Sequence, residues 1–310
     1  MKIIPLILPL ALLLTGCTGT DIRGRISPDV LAVDTAGSVQ FAAHDSRGEV
    51  ITADADSPFL LENALQNASG SRLTTGHLSL LLFSGNPAGI LPEYFRRGWI
   101  TPGCEAVFCP DGACRLLTAE KSPTAQQLRA AVRTGMLPCR TADAVIGDLT
   151  GGSGVTAAAA FRGESLTLAL FSADASCGTL SENACRGLAL LGRRWESFTF
   201  AADGGAFSVR HTLLHLSAAQ EEDRLVFTVS GRIFVQGKAD NAAADALTDM
   251  LSAALTETAR QHGADILMLR ETALRDGIAA AKDCTQEMWR KMLMQADCRA
   301  APETVFGADS

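Results

Sequence analysis

The segment "HLSLLLFSG" at 77–85 is apolar almost without interruption and closes on a glycine. It is too short for a typical helix and has the pattern of a strand buried on both faces. The flanking segments suit a mixed α/β arrangement. "DVLAVD" and "SVQFAAHD", within 29–45, predict two strands about the turn Thr35-Ala36-Gly37. Residues 57–68 predict a helix with Ser57 as cap and Pro58 in the first turn. Its apolar stripe is Leu61, Ala64, Leu65 and Ala68. "PAGILPEYFRRG" predicts a short helix, and 123–133 another. A first α/β domain is expected to end near Thr141.

The glycine-rich "DLTGGSGVT" (148–156) reads as a flexible junction. No Gly-Lys-Ser/Thr follows it, so a phosphate loop is not indicated. A middle block follows: the strand pair "VTAAAAFRGESLTLALF", a helix in "LSENACRGLALLGRRW" capped by Ser181, and the strand "AFSVRHTLLHLSA". Beyond the polar turn "AAQEEDR" comes the strand "RLVFTVSGRIFVQ", in which Gly231 is expected to mark a bulge. The clearest helix starts at a cap from Asp240 or Asn241 and carries Ala243, Leu247, Met250, Leu251, Ala254 and Leu255 on one stripe. Gly263 ends it. "TQEMWRKMLMQ" predicts a short amphipathic helix, and the tail from Pro302 is expected to be loosely ordered. The expected class is α+β (mixed α/β). Three consecutive small domains, each a mixed sheet with packed helices, are expected at 17–141, 142–218 and 219–306, behind a leader at 1–16.

That leader is the apolar run 3–14, interrupted by Pro5 and Pro9 and preceded by Lys2. Spanning hydrocarbon takes roughly 20 residues as a helix, so the length is that of a signal peptide. It ends in Leu-Thr-Gly-Cys, a bacterial lipobox. Cleavage is expected before Cys17, whose thiol would carry the lipid, with acylation giving a firm anchor. The net charge of −7 offers no basic face for nucleic acid, and Tyr94 is the only tyrosine, which argues against a carbohydrate-stacking site.

Nine cysteines fit an exported chain. In "FCPDGACR", Asp111-Gly112 is a hairpin-turn signal that would set Cys109 opposite Cys114, so a disulfide between them is expected. The five-residue steps from Cys104 to Cys109 to Cys114 do not match a zinc knuckle, and no metal site is expected. His211 and His215 are four apart, but their surroundings alternate as a strand does, and no HExxH is present. No Gly-x-Ser-x-Gly elbow or dinucleotide fingerprint occurs. No catalytic residue and no cofactor is indicated, and a non-enzyme is expected.

Several motifs, taken in order, resemble the Ger(x)C family, the lipoprotein subunit of spore germinant receptors. After the lipobox and "DVLAVD" come "LTTGHLSLLLFSG", similar to the family's Gly-His-Leu strand, and "PAGILPEYFRRGWITPGCEAVFCPDG". The stretch "AAAAFRGESLTLALFSADASCGTLSENACRGLALLGRRW" resembles the family's apolar hairpin and its Arg-Gly helix. "GADILMLRETALR" is similar to its "ADIFGFGE" turn, with Leu267-Met268-Leu269-Arg270 in place of Phe-Gly-Phe-Gly, and Trp289 to Lys291 has a counterpart downstream. The chain resembles a divergent member. The resemblance implies three α/β domains and a non-enzymatic role in spore germination. It implies partners in the integral membrane A- and B-type germinant receptor subunits, and a location on the outer face of the spore inner membrane. Exposed arginines at 96, 97, 193 and 194 are candidate contacts. A substrate-binding lipoprotein of an importer is the alternative.

Overall fold

The computed structural model describes residues 25–307 except 36–37, 46–47, 86, 120–124, 152, 163–164 and 173–175. The leader and Cys17 lie outside the described residues. The chain opens with β1 (Arg25–Ile26), β2 (Pro28–Asp34), β3 (Val39–Asp45) and β4 (Val50–Ala55). A 3-10 turn, Pro58–Leu60, is capped by the Ser57 hydroxyl and leads into α1 (Leu61–Ser69), which Gly70 ends at φ +68°. Next come β5 (Arg72–Leu73), β6 (Leu80–Phe83), α2 (Leu91–Arg96), β7 (Glu105–Phe108), α3 (Ala113–Thr118), α4 (Ala125–Arg133) and α5 (Ala142–Thr150). Then follow β8 (Val155–Arg162), β9 (Ser165–Ser172), β10 (Ser176–Thr179) and α6 (Glu182–Gly192). The last part holds β11 (Phe198–Ala202), β12 (Gly205–Glu221), β13 (Arg224–Gln236) and α7 (Asn241–Leu255), with a π-helical turn, Thr256–Gln261. It closes with α8 (Leu269–Arg275), α9 (Gln286–Met294) and β14 (Asp297–Gly307).

The fold is α+β. Eight strands form one sheet in the order β10-β9-β8-β7-β6-β2-β3-β4, and four form a second, β11-β12-β13-β14. In the first sheet the central strands β2, β6, β7 and β8 are parallel and the flanks antiparallel. Leu81 and Phe83 of β6 face the layer of α1, α2 and α5, while Leu80 and Leu82 face α3, α4 and α6. Both alternate sets are buried, which is why 77–85 carries no polar alternation. In the second sheet Leu225, Phe227, Val229, Ile233 and Val235 point to α7, α8 and α9, and the opposite face is largely open, with Val226 the buried exception on β13.

The sheets displace both expected internal boundaries. β8 pairs with β7 across 141/142, so the hairpin read as a new domain extends the first sheet. β12 runs straight through 218/219 and pairs with β13 over most of its length. The junction at 148–156 is instead the end of α5 and the start of β8. Gly231 sits in register, and the buried parity of β13 is the same on either side of it. The irregularity falls on β12, between Val209 and His211. The tail is ordered as β14, paired in parallel with β13. The Cys109–Cys114 hairpin does not form. Gly112, at φ +104°, turns the chain into α3, and the Asp34 carboxylate accepts from Ala113 N at 2.6 Å and Cys114 N at 3.1 Å. β7 finds parallel neighbours instead of a hairpin partner. Both thiols are free, so the expected bridge is replaced by a capped helix.

Candidate functional site

The two sheets meet along α6 and α7. α6 puts Ala184, Cys185 and Leu188 toward the first sheet, and Ala189 and Leu190 toward the second. The helices touch backbone to backbone at Gly187, where an added Cβ would fall 2.0 Å from the Met250 carbonyl oxygen. Ser181, which caps α6, also donates through its backbone N–H to Glu257 at 2.8 Å, fastening the same seam from its end.

Beside this seam lies a buried polar cluster. The Asp265 carboxylate caps α8, accepting from Leu269 N at 2.5 Å and Arg270 N at 3.1 Å. It also accepts from the Trp289 indole at 2.7 Å, and the Asp265 N–H donates to the Ser153 hydroxyl at 3.0 Å. Gln286 at the start of α9 donates to the carbonyls of Thr150 and Gly151, at 3.0 and 3.1 Å. The first sheet unit is thus tied to the second by Ser153, Asp265 and Gln286. A few residues away, Arg140 pairs with Asp148 and donates to the Ala157 carbonyl at 3.0 Å, while Thr156 donates to Asp148 at 3.0 Å. Burial pushes the Asp265 carboxyl up to about 6 against the pull of its three donors, and nearby Asp148 adds to the rise. Burial also raises Asp148, with Arg140 and Thr156 opposing. Asp265 is held by three of the protein's own donors and Asp148 by two, so the cluster latches elements together.

A cavity of about 280 Å3 opens on the seam between Arg140, Leu188, Leu214, Leu216 and the loop 266–268. Met268 on its rim holds φ +56°, at the position where the resembling turn has glycine. The candidate contact arginines are largely engaged. Arg96 and Arg97 both pair with Glu93, whose carboxyl they hold below its usual value, Arg97 first. Arg193 donates to the Leu214 carbonyl, and Arg194 reaches Cys139 Sγ at 3.7 Å. The histidines lie apart: His44 by Asp29, His215 by Ser230, and His211 stacked on Phe234. Burial pushes the Cys104 and Cys109 thiols up to about 12, and Cys185 and Cys298 to about 11, so they are poor nucleophiles. The pairing of Asp265 with Trp289 escapes sequence reasoning, although both stand in motifs quoted for the resemblance.

No protein-family model matches the sequence, and no curated protein matches it. Among solved structures, the crystal structure of the GerBC protein is similar with a TM-score of 0.58 at 12% identity, over 89% of this chain and 96% of that one. The chain is therefore Ger(x)C-like in its fold and divergent in its sequence. At this identity the likeness establishes architecture, which is the class the resembling motifs implied.

Proposed function

We propose that the chain is the lipid-anchored subunit of a spore germinant receptor. Cys17 would hold it on the outer face of the spore inner membrane, beside integral A- and B-type subunits, and it would pass on a signal without transforming a substrate. The observation that carries this reading is the likeness to GerBC over nearly the full length of both chains. The motifs quoted for the resemblance support it, since Asp265 and Trp289 are bonded to each other in the fold. No helix among the described residues is long and apolar enough to cross a membrane, which suits attachment through a lipid. Confinement to the membrane plane makes association with integral partners effectively intramolecular, so modest interfaces suffice.

The seam cavity favours the alternative, an importer's binding lipoprotein. Such a protein closes about a hinge, however, and here α6 and α7 are in backbone contact at Gly187. The test is Cys17→Ala in a spore-forming host whose other receptors are deleted. The receptor role predicts loss of the response to one nutrient set. An unchanged response would contradict it.

A further inference from the structure

One end of the first sheet unit exposes large apolar side chains beside arginines. Phe59 and Leu60 on the 3-10 turn are 36% and 41% exposed, and Phe95 on α2 is 41% exposed. The two elements are joined. The Tyr94 hydroxyl donates to the Pro58 carbonyl at 2.7 Å, and Arg97 donates to the Phe59 carbonyl at 3.2 Å. The Arg97 guanidinium lies 5.6 Å from the centre of the Phe59 ring and 5.0 Å from that of Trp99. Arg96 projects beyond it, its side chain 77% exposed.

The described chain begins beside this patch. β1 pairs with β5, Thr74 N donates to the Ile26 carbonyl at 2.8 Å, and the Thr75 hydroxyl donates to the Gly98 carbonyl at 3.2 Å. Ile26 is thus linked through 74–75 to the residue after Arg97. Cys17 stands eight residues before Arg25, a span of at most about 29 Å fully extended. Arg96 and Arg97 share the single carboxylate of Glu93, which leaves this corner with a surplus positive charge.

We propose that this patch rests on the bilayer. Phe59, Leu60 and Phe95 enter the boundary between headgroups and acyl chains, while Arg96 and Arg97 reach the lipid phosphates. The inference deepens the lipid-anchor reading and rests on it. A tether this short holds the end that bears the patch close to the membrane, so weak burial is enough to fix its orientation.

The test uses the chain from residue 18 with an N-terminal histidine tag, bound to vesicles of phosphatidylcholine, phosphatidylglycerol and a nickel-chelating lipid, part of the phosphatidylcholine being brominated. The artificial tether makes the result independent of natural lipidation, which palmitate labelling of Cys17 reads separately. After subtraction of the wild-type signal, tryptophan in Phe95→Trp should be quenched about twofold more than in Leu213→Trp on the open face of the second sheet. Leu60→Trp should match Phe95→Trp, and Arg96→Glu/Arg97→Glu should bring that quenching down toward the Leu213→Trp level. Equal quenching at all three positions would overturn the proposal. So would a dimer in solution that Phe95→Glu dissolves, which would assign the patch to a second copy.

Discussion

The eight-stranded sheet is covered on both faces, the four-stranded sheet on one. That difference sets how each is held. The first sheet has two complete apolar layers, and Phe83, Phe108 and Phe171 pack within one of them at centroid distances of 4.6 to 6.1 Å. The second is covered on one face by α7 to α9 and by Ala189 and Leu190 of α6, and takes its position from the seam with the first unit. Its attachment combines a small apolar contact, Ala254, Ala264 and Ile266 against the α6 layer, with a few polar and close-contact residues, whereas the first sheet is held by bulk burial.

Changes at the seam should separate the two. Asp265→Ala leaves the Trp289 indole and two α8 amides without acceptors in a buried site. It should cost about 4 kcal/mol at these per-group penalties. Hydrogen exchange should rise over β12 to β14 while β2, β6 and β7 stay protected. Equal loss in both sheets would show that the two are held alike. Gly187→Ala forces α6 from α7 and should cost about 2–3 kcal/mol in urea unfolding, again loosening the second sheet first.

A smaller effect concerns pH. The Asp265 carboxyl is raised to about 6 from an ordinary value of 3.8. Its protonated form therefore stabilises the fold fully below the unfolded value, and this stabilisation is lost as pH rises through 6. Relative to Asp265→Asn, the wild type should lose on the order of 1 kcal/mol between pH 5 and pH 7. Parallel profiles would contradict this cause. Smallest of all, Met268→Gly relieves the left-handed backbone on the cavity rim and should stabilise by roughly 0.5 kcal/mol, once the added freedom of the unfolded chain is counted.

Local elements were legible because their signals are local. Ser57 and Ser181 cap the helices that follow them, Asp240 of the two candidates caps the long helix, and Gly263 ends it in a left-handed turn. The domain division was not legible. The hairpin at 155–172 has the same alternation whether it founds a new sheet or extends β7. Asp111-Gly112 misled for a related reason: its turn signal is satisfied equally by a helix start once Asp34, far away in sequence, supplies the cap. The tail looked loose because its half-buried strand gains order from distant parts of the chain, by pairing with β13 and packing beside α7. At the seam, Asp265 and Trp289 each stood in a quoted motif. Their contact depends on α8 and α9 folding back over the sheet, which no spacing encodes.

The proposed role needs a lipid on Cys17, which mass spectrometry of the protein purified from its own membrane fraction would read most directly. The expected species is a chain starting at Cys17 with diacylglycerol on the thiol. A chain that keeps Met1 and an unmodified Cys17 would contradict it.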